Sequence, residues 1–129
     1  MQQQDSLIGP VPSGIVDVAR SSLTAFDGRV ADFNVAAWLN LPGMADLPVS
    51  LLVSYLDGDR RREVAVDHGR PNAKGKILLS GIARLPFKQK IEQMQVRLRA
   101  AVPIKSLLVD ELFVQAVELA EPAGRKARA

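Results

Sequence analysis

Residues 87–101 read FKQKIEQMQVRLRAA, and their conformation decides the fold class. Wound as a helix, Phe87, Ile91, Met94, Leu98 and Ala101 fall at helical spacings, and Lys, Gln, Glu, Met and Arg are good helix formers. Extended, Met94, Val96, Leu98 and Ala100 alternate with Gln93, Gln95, Arg97 and Arg99, whereas a helix would leave Val96 on its polar side. Strand is the preferred reading. Residues 107–118, LLVDELFVQAVE, pose the same choice. Here Val109, Phe113, Val114 and Val117 favour strand, with Leu112, Val114 and Ala116 on one face. Two strands make the chain all-β; two helices make it α+β, which stands as the alternative.

Upstream, the period-2 signal is clearer. In DFNVAAWLNL (32–41), Phe33, Val35, Ala37, Leu39 and Leu41 share one face, and Asn34, Ala36, Trp38 and Asn40 share the other. Asp27-Gly28 before it suits a two-residue turn, which predicts that residues 16–26 form the partner strand of a first hairpin. Residues 49–56 run through Asp57-Gly58 into residues 59–66, a second hairpin with Val64 and Val66 directed inward. After the loop GRPNAKG (69–75), residues 76–82 give another strand, broken near Gly81 and Pro86. About seven to eight strands joined by hairpins predict an antiparallel two-sheet β-sandwich. The expected organisation is an N-terminal tail or arm at 1–14, a single sandwich domain at 15–120 and a basic tail at 121–129.

A length of 129 residues, 47% of them hydrophobic and 24% charged, supports one globular domain. Lys and Arg number 17 against 14 Asp and Glu, for a net charge of +3. That is too small a surplus for a dense positive field, and with four Phe, one Tyr and one Trp, stacking platforms for bases are scarce. Nucleic acid is not an expected partner. Residues 1–12 show no basic and apolar signal regions, and no later stretch has the ~18 consecutive apolar residues of a membrane helix. The expected location is the cytoplasm, or an assembly made there, with no membrane contact.

The sequence holds no cysteine, which removes disulfides, thiol nucleophiles and thiolate metal sites. Its single histidine, His68, follows Asp67, but neighbours on a strand point to opposite faces and no G-x-S-x-G elbow surrounds a serine. Asp57 with Asp59 flanks a turn glycine, and Asp110 with Glu111 sits where sheet edges are commonly charged. No catalytic residue is assigned, and a non-enzymatic role is expected.

The residues opposite the core positions are the candidate partner or ligand face: Asn34, Trp38 and Asn40 on one strand, and Gln93, Gln95, Arg97 and Arg99 on another. An exposed Trp among amides and guanidiniums can stack a sugar while its neighbours supply hydrogen bonds. Trp and Arg are equally at home in subunit interfaces.

The strand texts DFNVAAWLNLPG, PVSLLVSYLDGDR, KILLSGIARLPF, QMQVRLRA and LLVDELFVQ together resemble the jelly-roll, galactose-binding-like carbohydrate-binding modules. The resemblance spans roughly residues 15–118 and is one of rhythm. It implies a glycan bound on a sheet face or loop edge, with Trp38 as platform, and a structural calcium with Asp110 as a ligand; no other cofactor is expected. The leading functional expectation is a structural or self-associating component acting through protein contacts, its tails clasping neighbours. A carbohydrate-binding module using Trp38, Asn34, Asn40, Gln95 and Arg97 is the alternative.

Overall fold

In β3, Arg29–Asn40, every second side chain is sealed and the intervening ones face outward. Phe33, Val35, Ala37 and Leu39 are at most 1% exposed, and each large one contributes roughly 1.5–3 kcal/mol by leaving water. The computed structural model describes residues 4–17, 21–23, 28–104 and 106–117. The remaining strands are β1 (Gln4–Pro10), β2 (Ser21–Leu23), β4 (Val49–Asp57), β5 (Arg60–Gly69), β6 (Lys76–Phe87), β7 (Ile91–Ala100) and β8 (Leu108–Ala116). One short helix, α1, spans Ser13–Asp17. All strand pairings are antiparallel.

The strands form two sheets packed face to face. One has the order β1-β7-β4-β5; in the other, β3 pairs with β6 along one edge and with β2 and then β8 along the opposite edge. Between them lie the inward residues of β3, Val49, Leu51, Val53 and Tyr55 of β4, Leu79, Ala83 and Leu85 of β6, and Met94, Val96 and Leu98 of β7. The Tyr55 hydroxyl donates to the Pro86 carbonyl at 2.7 Å, and burial pushes its pKa up to about 12. This is the two-sheet sandwich expected, and both disputed segments are strands.

Several local expectations change. Residues 4–10 are no free arm: as β1 they pair with β7 from Gln4↔Ala100 to Pro10↔Gln95. Of the predicted strand at 16–26, residues 16 and 17 belong to α1 and residues 21–23 form β2, which pairs with Arg29, Val30 and Ala31 of β3 as the first hairpin requires; residues 18–20 and 24–27 lie outside the described set. The basic tail at 121–129 also lies outside it. β6 is not broken at Gly81 or Pro86 but continues through both, pairing with β3 from Asn40↔Lys76 to Arg29↔Phe87. Gly81 is there because a Cβ would stand 2.7 Å from the Val66 carbonyl oxygen, where β5 of one sheet passes β6 of the other. Asp67 closes the same side of the sandwich: its carboxylate accepts the backbone N–H groups of His68 and Ser80 at 2.8 and 2.9 Å.

Candidate binding face

The outward residues of β3 are Asn34, Ala36, Trp38 and Asn40, flanked on both sides by neighbouring strands. Trp38 stands opposite Leu78 of β6 and Glu111 of β8; Ala36 opposite Ser80 and Phe113; Asn34 opposite Ile82 and Gln115; Asn40 opposite Lys76 and Leu108. Directly opposed residues have Cβ atoms about 4.5–5.5 Å apart, so each row is a contact row. Trp38 is 49% exposed, and Leu78, Ile82, Leu108 and Phe113 are exposed with it.

Beside the indole opens a cleft of about 520 Å³, lined by Trp38, Leu39, Ile77, Leu78, Asn72, Lys76, Asp110 and Glu111. A slip in the β3–β8 register between Trp38 and Leu39 leaves Asp110 as an extra residue beside Glu111, so two consecutive carboxylates border the cleft. Asn72 shapes the opposite rim, its Oδ1 accepting the backbone N–H groups of Lys74 and Lys76 at 2.9 and 3.0 Å. Asn40 is half-buried and its amide oxygen is sealed from solvent; Asn34 is exposed.

The second half of the expected face lies elsewhere. Gln95, Arg97 and Arg99 point outward from β7, in the other sheet, so the sandwich separates them from Trp38 and the residues do not form one site. The physical reason is topological: alternation assigns each strand an inside and an outside, but not which sheet it joins. Gln93 sits at a bulge with φ 51°, where the register against β4 shifts and Glu92 and Gln93 both face solvent.

That second face is already occupied by its own side chains. Arg99 Nε and Nη2 donate to Asp5 at 2.7 and 2.8 Å, and Nη1 and Nη2 donate to Glu63 at 2.6 and 2.9 Å. The Arg99 hydrogen bonds hold the Asp5 carboxyl below its ordinary range, and the two carboxylates fix Arg99 in its charged form. Arg97 donates to Gln95 Oε1 at 3.2 Å. Leu52 and Ser54 of the central strand β4 are 4% and 3% exposed on this outer face. Four of the five guanidinium N–H donors of Arg99 are thus taken by its own neighbours.

Asp67 takes up backbone N–H groups, including that of His68, and makes no hydrogen bond to the His68 imidazole. Among the described residues no three His, Cys, Asp or Glu side chains converge to hold a metal. Asp110 and Glu111 supply two adjacent carboxylates at the cleft, with no third such side chain converging on them among the described residues. Among the described residues no helix is long and apolar enough to cross a membrane.

Lys76, Leu78, Asn72, Ile82 and Phe113 join Trp38 on this face without having been assigned to it from the sequence, and Glu111, weighed there only as half of a carboxylate pair, joins them. A signal existed in β6: Leu78 and Ile82 share one parity, and Ile77 and Leu79 the other. The apolar run ILL hides which parity is buried.

No family model matches the chain, and no protein of curated function matches it. Its fold is similar to that of solved carbohydrate-binding modules. One is in the structure of the Clostridium thermocellum endo-1,4-β-D-xylanase 10B CBM22-1–GH10 modules with xylohexaose, at a TM-score of 0.54 and 14% identity, covering 74% of this chain and 20% of that one. Another is the CBM22-2 xylan-binding domain of Paenibacillus barcinonensis Xyn10C, at a TM-score of 0.45 and 12% identity, covering 77% of this chain and 78% of that one. This chain thus spans a fifth of the length of the xylanase chain. The likeness is one of architecture: a β-sandwich of the carbohydrate-binding-module type.

Proposed function

We propose that this protein is a non-enzymatic glycan-binding module that uses the outer face of the β3–β6–β8 sheet, with Trp38 as the stacking platform. The observation that carries the reading is the half-exposed indole at the edge of a cleft bordered by Lys76, Asp110 and Glu111. A pyranose ring presents an apolar face to an aromatic ring and hydroxyls at its rim, so a Trp with polar neighbours at one edge matches both. The architectural likeness to a module from a xylanase solved with xylohexaose supports the same class of ligand. Binding is preferred to hydrolysis because Asp110 and Glu111 are both exposed, whereas an acid catalyst is tuned by an apolar enclosure.

The test is calorimetric titration with xylohexaose and other neutral β-linked oligosaccharides, using wild type and Trp38→Ala. Loss of the stacked indole should weaken binding roughly 5- to 30-fold, while thermal stability stays close to wild type because the side chain is half exposed. Affinity unchanged in Trp38→Ala would refute the platform.

The other expectation, self-association, would draw on this same face, where Trp38, Leu78, Ile82 and Phe113 are all exposed. The one substitution separates the two. In a glycan module it leaves the sedimentation mass unaltered; in a self-associating protein it lowers that mass.

A further inference from the structure

We infer that the Trp38 cleft selects glycans bearing protonated amines, of the glucosamine class, over neutral chains and over chains bearing uronic acids; the inference rests on the glycan-binding reading above. Its basis is which carboxylates are already taken. Asp5 and Glu63 are held by Arg99, Asp32 by Arg84, Asp57 by Arg62 and Asp46 by Arg70. Asp67 is held by two backbone N–H groups. Among the described residues Asp110 and Glu111 have neither an ion pair nor a side-chain hydrogen bond, and both border the cleft that also exposes the indole.

Among the described residues Lys76 is the single cation lining that cleft. Against two carboxylates it leaves a surplus of negative charge, in a molecule whose net charge is +3. The cleft therefore has the opposite sign to the whole chain. A uronic acid would meet two like charges and one unlike. A neutral sugar would gain hydroxyl-to-carboxylate hydrogen bonds. A protonated amine would gain charge-assisted hydrogen bonds to the carboxylates and attraction to the indole face. Non-specific attraction cannot mimic this, because a cationic oligomer is repelled by the chain's overall charge.

The experiment is titration of wild type, Asp110→Asn/Glu111→Gln and Trp38→Ala with four hexamers: glucosamine, N-acetylglucosamine, xylose and galacturonic acid. A pH of about 5 to 6 keeps carboxylates ionised and amines protonated. Wild type should bind the glucosamine hexamer roughly 3- to 10-fold more tightly than the neutral ones, and the galacturonate most weakly. The double variant, altered only at exposed residues, should lose the amine preference, its affinity for the glucosamine hexamer falling to that for the neutral ones. Trp38-dependent binding of neutral hexamers with no amine preference, or a preference that survives in the double variant, overturns this inference alone. Binding to none of the four overturns the glycan-binding reading with it.

Discussion

Asp57 shows how one residue's protonation is tied to the fold. It is 4% exposed, and burial alone would raise its pKa. The backbone N–H groups of Gln89 and Lys88, at 2.8 and about 3.0 Å, outweigh that, aided by Arg62, whose Nε lies 3.1 Å from Oδ2. The net effect is a carboxyl below its ordinary value of 3.8. Such a group favours the native state above the unfolded pKa, and that contribution disappears as pH falls through the lower native pKa. Wild-type stability should therefore decline below about pH 4. Asp57→Ala should cost about 2–4 kcal/mol in urea unfolding at neutral pH and flatten the acid limb. An acid limb as steep as wild type's would contradict the assignment. At this scale the sequence was only partly legible. Asp57-Gly58 announced its turn, but that Asp57 would cap the β6–β7 loop depends on residues more than thirty positions away. Trp38 was legible because its exposure follows from the parity of its own strand; the occupation of Arg99 by Asp5 was not, because the partner is supplied by β1.

Among elements, β7 was decided by Val96, which no amphipathic helix could bury together with Met94 and Leu98, and it is 0% exposed in the sheet. β1 was missed because Gly9, Pro10 and Pro12 look like a tail. An edge strand needs few inward side chains, and at Gly9 a Cβ would come 2.9 Å from Leu112 Cδ2, the tip of a side chain that would have to shift. Gly81 was misread for a related reason: a glycine inside a strand signals either a break or a close neighbour, and only the passage of β5 distinguishes them. Gly81→Ala should lower stability by about 1–3 kcal/mol in urea unfolding without loss of strand signal in circular dichroism, since the added carbon meets rigid backbone. Wild-type stability in that variant would mean β5 and β6 lie further apart than described.

For the molecule as a whole, the two outer faces have different chemistry. One is closed over by the Arg99–Asp5–Glu63 network above Leu52 and Ser54; the other leaves Trp38, Leu78, Ile82 and Phe113 in water beside two free carboxylates. Periodicity revealed the sandwich because burying one side of each strand is a local demand. It could not reveal the division of faces, since that depends on which strands share a sheet. The central claim is that the open face is where a glycan rests. Because Trp38 is the chain's single tryptophan, its fluorescence reports on that face alone. Titration with the glucosamine hexamer should shift the emission towards the blue in a saturable manner, as the sugar displaces water from the indole. Binding detected by calorimetry while the emission stays unaltered would place the ligand elsewhere and contradict the account.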